Sequence, residues 1–382
     1  MTVTDSAIEK STPFARGAQA PLTQASHLPG YVYSSPEIYA AEKEAIFMKD
    51  WLCVGRVEEV ENPGDYTTLR ITDEPVVVAR NAAGELHAFA NVCAHRGVEV
   101  AAGSGNTKEF SCPYHGWLYD LDGKLVGAPY MKEAEGFDPT NCRLKPLQLG
   151  TWAGWIFITF NAAPLPLEEH LDPFIRECSF LKMEDARVVD KVVMDLECNW
   201  KFAVENSLDI YHVQAVHQAT FGNFVNPEGF NFDLWDRGAS TVVYKAAPHT
   251  PDGKPFFGVM NSLAGKSDES FGVTGYVAPN MHLFGRCENF RPAVHWPLSP
   301  TRTRLVYYNL FPKEFLDRPN LEVARETYRN YYMQAIVEDE AMIESLQRGM
   351  SSRAYQPGRM STLEVAIHHA INYYVERMAA YL

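Results

Sequence analysis

The chain has 382 residues, 46% of them hydrophobic and 21% charged, a composition that excludes wholesale disorder and fits about two or three domains. No run of about 18 apolar residues is present, so no membrane span is expected. A net charge of −14 argues against nucleic acid or an anionic membrane as the main partner.

Residues 1–28 hold Lys10, Arg16 and scattered Ser, Thr and Pro without a compact apolar stretch. They read as a flexible tail rather than a secretory signal, which points to a cytoplasmic protein. The pattern Ser34-x-Pro36-Glu37 then predicts a capped helix start, and the run to Met48 makes 29–50 an N-terminal helical segment. From Trp51 to Asn161 the texture changes to short β-like runs such as Glu74-Pro-Val-Val-Val-Ala and Trp155-Ile-Phe-Ile-Thr-Phe. Turns at Pro63-Gly64, Ala83-Gly84 and Asp122-Gly123 separate them, so 51–161 is expected to be an all-β domain. Beyond Pro164-Leu-Pro166, strand-like segments near 187–197, 240–246, 270–285 and 302–311 are framed by helical stretches at 199–216 and 320–348. That order predicts an α+β domain over 162–382 with an antiparallel sheet. Seven cysteines spread over the chain do not form a disulfide framework; clustered ones point instead to metal or catalysis.

One such cluster is Cys93-Ala-His95-Arg-Gly97 and Cys112-Pro-Tyr-His115-Gly-Trp117, with sixteen residues, Arg96 to Ser111, between His95 and Cys112. Each half is a tight turn offering one thiolate and one imidazole, and its glycine lets the backbone pass close to an inorganic core. Two such loops can hold two irons asymmetrically, Cys₂ on one and His₂ on the other, as in a Rieske [2Fe–2S] centre. A Cys₂His₂ zinc site would use the same atoms, but its usual spacing pairs Cys with Cys and His with His. Cys53, Cys142, Cys178, Cys198 and Cys287 lack this context and read as core residues.

The second constellation lies in the stretch Asn199 to His217. Glu205, Asp209 and His212 stand at i, i+4 and i+7 on one helix face. His217 falls about 140° from His212 on a regular helix, so both imidazoles reach one metal only if the helix widens or ends between them. Two imidazoles call for a carboxylate to complete a site with open positions for dioxygen. The late helix carries an apolar stripe of Tyr328, Tyr332, Ala335, Ile336, Met342, Ile343 and Leu346. Asp339 falls within it, whereas Glu338 and Glu340 point to either side. A carboxylate on a buried stripe needs a cation or donors, so Asp339 is the expected third ligand; a structural histidine pair and an Asp339–Arg348 ion pair are the alternatives.

With these motifs in the order C-x-H-x16-C-x-x-H and E-N-x-x-D-x-Y-H-x4-H, the chain resembles the oxygenase α subunit of Rieske non-haem iron ring-hydroxylating enzymes from about residue 30 onward. The segment Glu338-Asp339-x4-Glu344-x-x-Gln347-Arg348-Gly349 is similar to the branch with choline- and carnitine-type monooxygenases and other trimeric oxygenases. The resemblance implies a Rieske domain plus a helix-grip (SRPBCC/START-like) catalytic domain, on which 29–50 would pack. It implies one [2Fe–2S] cluster on Cys93, His95, Cys112 and His115, and one mononuclear iron on His212, His217 and Asp339. It further implies a homotrimer in which Asp209 links His212 to a cluster histidine of the neighbouring subunit. Electrons would come from NAD(P)H through a separate ferredoxin or flavin reductase. The locally basic set Arg96, Lys108, Lys124, Lys132, Arg143 and Lys145 could steer an acidic donor, or be solvated surface.

The implied activity is that of a terminal oxygenase, a monooxygenase rather than a dioxygenase. Its expected substrate is an aromatic or other apolar compound, hydroxylated or oxidatively N- or O-dealkylated. Oxidative demethylation of a quaternary amine is the alternative within the enzyme class, and a non-catalytic electron carrier with a ligand-binding module is the alternative outside it. Asn206 beside the second motif is a candidate hydrogen-bonding partner for substrate. Phe221, Phe224, Phe230, Phe232, Trp235, Tyr276 and Phe284 are candidate lining residues, with Phe221 and Trp235 expected to touch substrate.

Overall fold

A computed structural model describes residues 13–222 and 225–381. The chain divides into two compact units, one spanning Phe47–Leu167 and the other joining the described residues up to Ile46 to those from Glu168 onward. The expected lining residue Phe224 and residues 1–12 of the expected tail lie outside the described residues. Residues 13–28 are folded rather than tail-like. Pro13–Ala18 is helical, and Ala15, Ala18, Ala25 and Leu28 are buried, because this small-residue segment packs with the C-terminal helix Val365–Met378.

The first unit is all β. A four-stranded sheet runs in the order Leu86–Ala90, Glu74–Arg80, Asp65–Ile71, Ser104–Asn106, and two three-stranded sheets accompany it. Its core gathers Val77, Phe89, Trp117, Tyr119 and Leu144 around the two cysteines Cys93 and Cys112.

The second unit is built on a seven-stranded antiparallel sheet. Its strand order is Ala186–Leu196, Arg302–Pro312, Ala293–Ser299, Met281–Arg286, Phe271–Val277, Ser240–Lys245, Asp233–Leu234. Every residue of Phe271–Val277 is buried, as expected of a strand covered on both faces. The helix Leu321–Met350 buries Ala324, Tyr328, Ala335, Ile336, Ile343 and Gln347, a spacing that keeps one stripe inward. Met342 and Leu346, expected on that stripe, are each 46% exposed.

The N-terminal segment anchors the motif helix. Ser35, not Ser34, caps Pro36–Glu42, accepting from the N–H groups of Glu37 and Ile38. At its end the fully buried Glu42 accepts hydrogen bonds from Trp200 Nε1 (2.8 Å), Lys201 Nζ (2.5 Å) and Tyr374 Oη (2.8 Å). One carboxylate with three donors is the arrangement that makes burial of charge tolerable. Among the described residues, no helix is long and apolar enough to cross a membrane.

Candidate functional site

The two Cys–His loops share one hydrogen-bonding plan. In the first, Cys93 N–H donates to Val98 O (2.8 Å) and Gly97 N–H to Cys93 O (2.9 Å); in the second, Cys112 N–H donates to Trp117 O (2.8 Å) and Gly116 N–H to Cys112 O (3.0 Å). Gly97 (φ +78°) and Gly116 (φ +69°) take the left-handed conformation that closes each turn. Both thiols point inward, 3% exposed, while His95 and His115 are exposed with ring centroids 4.6 Å apart. His95 stacks on Trp117 at 4.8 Å. Two buried thiols opposite two outer imidazoles are the donor set of an asymmetric [2Fe–2S] cluster.

Tyr119, which the motif did not signal, sits beneath this group. Its Oη accepts Ala94 N–H (3.0 Å) and lies 3.2 Å from Cys93 Sγ. Burial first, and the contact with Cys93 second, push its pKa up, so the phenol keeps its proton beside the sulfur.

The second group comes from a broken helix. Asn199 caps Trp200–Leu208, its side chain accepting Lys201 N–H. The helix stops before Asp209, so the predicted shared face of Glu205, Asp209 and His212 does not form. Glu205 turns instead to Tyr33 Oη (2.9 Å). His212 and His217 flank the one-turn helix Val213–Val216 as its two caps, which brings both imidazoles to one side. Asp339 arrives from the long helix. Asn199 N–H donates to Gln347 Oε1 (2.7 Å) two turns further along, fixing one helix against the other.

His212 Nε2 and His217 Nε2 lie 3.2 Å apart, and 3.4 Å and 3.1 Å from Asp339 Oδ1. Ligands at about 2.1 Å from a first-row metal and at right angles to one another are separated by about 3 Å, so the triad fits one face of an octahedral ion. The buried Oδ1 accepts no aligned hydrogen bond from either ring, as expected of atoms that all aim at a common point. Arg348 pairs with Glu344 (3.8 Å), not with Asp339.

Each ring is braced from behind. Asp209 Oδ2 stands 3.2 Å from His212 Nδ1, although off the hydrogen-bond direction. Glu338 Oε2 is 2.7 Å from His217 Nδ1 and also accepts Thr220 Oγ1 (2.9 Å). Glu338 therefore belongs to the site even though it leaves the apolar stripe. Burial opposes charge on His212, but Asp209 and Asp339 outweigh it and raise its pKa to about 9. His217 is raised against the same burial by Asp339 and Glu338. Burial would lift the Asp339 carboxyl, yet the two imidazoles hold it below the usual range.

The triad borders a cavity of about 100 Å³. Asn206, Phe221, Phe230, Phe232 and Phe284 line it as expected, and Asp209 also borders it. Trp235 does not. Phe230 and Phe232 share a parity that Trp235 lacks along this extended stretch, and its indole bonds Thr241 Oγ1 (3.0 Å) beside Arg176. Tyr276 lies beside a different cavity with Trp200 and Tyr374, bonded to Pro279 O (2.9 Å). Three polar lining residues, His249, Arg286 and Arg291, had no motif to mark them.

Comparison with known proteins bears on both groups. A family model described as Rieske [2Fe-2S] domain matches residues 50–145, and one described as ring hydroxylating alpha subunit (catalytic domain) matches 183–380. The chain is 32% identical to the carnitine monooxygenase oxygenase subunit of Acinetobacter pittii, covering 87% of this chain and 88% of that protein. It is 28% identical to the glycine betaine monooxygenase oxygenase subunit of Pseudomonas aeruginosa, over 92% and 89% of the two chains. A solved quaternary ammonium Rieske monooxygenase, described in terms of carnitine oxidation and inter-subunit electron transfer, superposes with a TM-score of 0.80 at 26% identity, over 96% of this chain and 99% of its own. Naphthalene 1,2-dioxygenase from Rhodococcus sp. shares the fold, with a TM-score of 0.79 at 20% identity over 97% and 99% of the chains.

Proposed function

The chain belongs to the Rieske non-haem iron oxygenases, and from that premise we propose which residues carry the chemistry and on what kind of molecule. It is the terminal oxygenase, with one [2Fe–2S] cluster and one mononuclear iron, supplied with electrons by a separate reductase. Cys93, His95, Cys112 and His115 hold the cluster, and His212, His217 and Asp339 hold the iron. The convergence of the three ligand atoms at the wall of an aromatic cavity carries this reading, and it speaks against a mere electron carrier. Iron bound there, with electrons stored on the cluster, supplies dioxygen activation.

The chain's own residues do the rest. Asp209 and Glu338 stand behind the two imidazoles and keep Nε2 of each facing inward, the usual task of carboxylates behind metal-ligating histidines. Phe221, Phe230, Phe232 and Phe284 give the cavity apolar walls that exclude water. Asn206, at the same cavity, hydrogen-bonds substrate or orients it. The reaction is hydroxylation or oxidative N- or O-dealkylation of a small organic molecule. Purified protein should contain about three irons per chain, two in the cluster and one outside it. With a generic reductase it should consume dioxygen in a substrate-dependent way. Two irons and no uptake would leave only an electron carrier.

A quaternary amine such as carnitine or glycine betaine is the second reading, favoured by the relatives' substrates. Formaldehyde or trimethylamine release would identify it. We further propose that the chain works as a homotrimer, with Asp209 bridging to the neighbour's cluster; the named inter-subunit transfer in a related structure supports this. A solution mass of one chain would overturn it. The donor is a ferredoxin or flavin reductase. Arg96, Lys108, Lys124, Lys132, Arg143 and Lys145 are all exposed, and salt-insensitive reduction would rule out steering by them. A reducing cytoplasm suits seven cysteines none of which is paired in a disulfide.

A further inference from the structure

We propose that the cavity beside the triad contains a carboxylate-binding subsite formed by Arg286, Arg291 and His249, so that the substrate is a carboxylate-bearing molecule anchored away from the carbon that is oxidised. The proposal rests on reading this cavity as the substrate site and names the class of substrate it takes.

Both arginines line the cavity, Arg291 also bordering a smaller one beside Tyr308 and Tyr328, and each is only 2% exposed. A buried positive charge is normally matched by a carboxylate, yet among the described residues neither arginine has one. Arg286 donates from Nη1 to Tyr244 Oη (2.8 Å) and Gly285 O (2.9 Å), and its Nη2 lies 2.9 Å from His249 Nε2. Arg291 Nη1 lies 2.5 Å from His249 Nδ1. The Nε of Arg286 and both Nε and Nη2 of Arg291 are buried without a partner. Stacking over Tyr244 at 5.2 Å and Tyr332 at 4.5 Å orients the two planes and offsets part of the charge.

His249 cannot resolve the conflict. A neutral imidazole has one lone pair, so it accepts from one arginine and turns an N–H toward the other. Protonation would place a third cation between the first two, and burial together with both arginines holds its pKa well below the ordinary value. The Arg291 guanidinium feels the same shortage: burial and Arg286 lower its pKa to about 10. One carboxylate brings the missing charge, and its two oxygens take the unpaired N–H groups in the fork geometry that guanidinium favours.

A stack of rings sets the direction of the bound molecule. His217 packs on Phe221 at 4.5 Å, and Phe221 packs on His249 at 4.5 Å. The charged subsite is thus two stacking steps from an iron ligand, and a molecule held there extends along Phe221 toward the triad. The oxidised carbon lies several bonds from the carboxylate.

The test uses full-length protein carrying both iron centres and measures equilibrium binding of three acids: benzoate, 3-phenylpropionate and 4-(trimethylammonio)butyrate, each against its primary amide. At least one acid should bind at least tenfold more tightly than its amide, and Arg291→Met should erase that preference while cluster absorbance and iron content persist. The same variant should raise the Tm of ligand-free protein by about 1–3 °C, because a buried unmatched charge is removed. A purely structural arginine would give a lower Tm. If Arg291→Met does not fold, Arg286→Met answers the same question. Equal binding of every acid and amide, no binding of any acid, or a preference that survives the substitution overturns the proposal. Failure of the oxygenase reading would show separately, as protein lacking the third iron.

Discussion

Cys93, His95, Cys112 and His115 come from two short loops with the same hydrogen bonds, whereas His212, His217 and Asp339 come from a broken helix and a distant one. In the first region each turn makes its own thiol–imidazole pair, and the surrounding β core only has to bring two finished turns together. In the second, no stretch of chain is a half-site. The geometry depends on where one helix stops and on how another is registered against it. The two regions should therefore fail differently, and the sharpest break of the contrast is to remove a ligand from each. His217→Ala should reduce activity to background and iron from about three to about two per chain, with the cluster spectrum intact. Cys112→Ala should bleach the cluster while mononuclear iron still binds. Loss of both metals in either variant would show that the regions are not independent.

A finer contrast concerns the groups behind the ligands. Asp209→Ala should keep both iron centres yet lower turnover about 10–100-fold, while Glu338→Ala should weaken iron binding by a similar factor. Iron content measured alongside turnover separates the two. Full activity in the Asp209 variant would remove it from the electron path proposed above.

The same local-versus-distant difference explains what could be read in advance. The C-x-H and C-x-x-H turns are legible because the Cys and His of each are neighbours in the chain. Asp339 was visible because an acid interrupts an apolar stripe. Glu338 points aside from the stripe, as its position predicts, and that direction is where His217 Nδ1 lies. The end of the motif helix at Leu208 was not legible, since Glu205 to His212 keeps a regular helical spacing. Trp235 departs from the expected lining because an aromatic residue near the motif carries no indication of which side of an extended segment it takes. Arg286 and Arg291 gave no signal at all: on a hairpin they resemble surface cations, and only the fold buries them. The helices Leu167–Cys178 and Val365–Met378 and the strand Ala293–Ser299 are likewise not among the elements the sequence predicts. His295-Trp296-Pro297 breaks the alternation by which strands are recognised.

Proton competition sharpens the description of the second region. In protein stripped of iron by a chelator, His212 keeps its proton up to about pH 9, against 6.5 for the unperturbed ring. Its contribution to stability is therefore complete below pH 6.5 and is lost as pH rises through about 9. Iron must displace that proton, so Fe(II) affinity should rise by up to about tenfold per pH unit until about pH 9. Anaerobic chelator competition between pH 6.5 and 8.5 reads this slope; a flat profile would mean that His212 is already neutral.

In the first region the corresponding probe is Tyr119. Its hydroxyl lies 3.2 Å from Cys93 Sγ, and an O–H donated to a cluster thiolate favours the more negative, reduced cluster. A hydrogen bond worth about 1 kcal/mol corresponds to roughly 40 mV for one electron. Tyr119→Phe should lower the cluster potential by about that amount with iron content unchanged, and an unmoved potential would show that the hydroxyl serves only Ala94 N–H.

The smallest effect tests whether remote packing governs the second region alone. Asn199 caps the motif helix, holds Pro300 O (2.7 Å) through Nδ2 and meets Gln347 through its backbone N–H. Asn199→Ala removes the cap but keeps the backbone contact to the long helix, so it should cost about 1 kcal/mol of stability. Because that contact still sets the register of Asp339, iron affinity should change little, whereas Gln347→Leu, of nearly equal volume, should lower it. The cluster spectrum should not respond to either. If Asn199→Ala weakens iron binding as much as Gln347→Leu does, the helix start rather than the register between helices places His212 and His217.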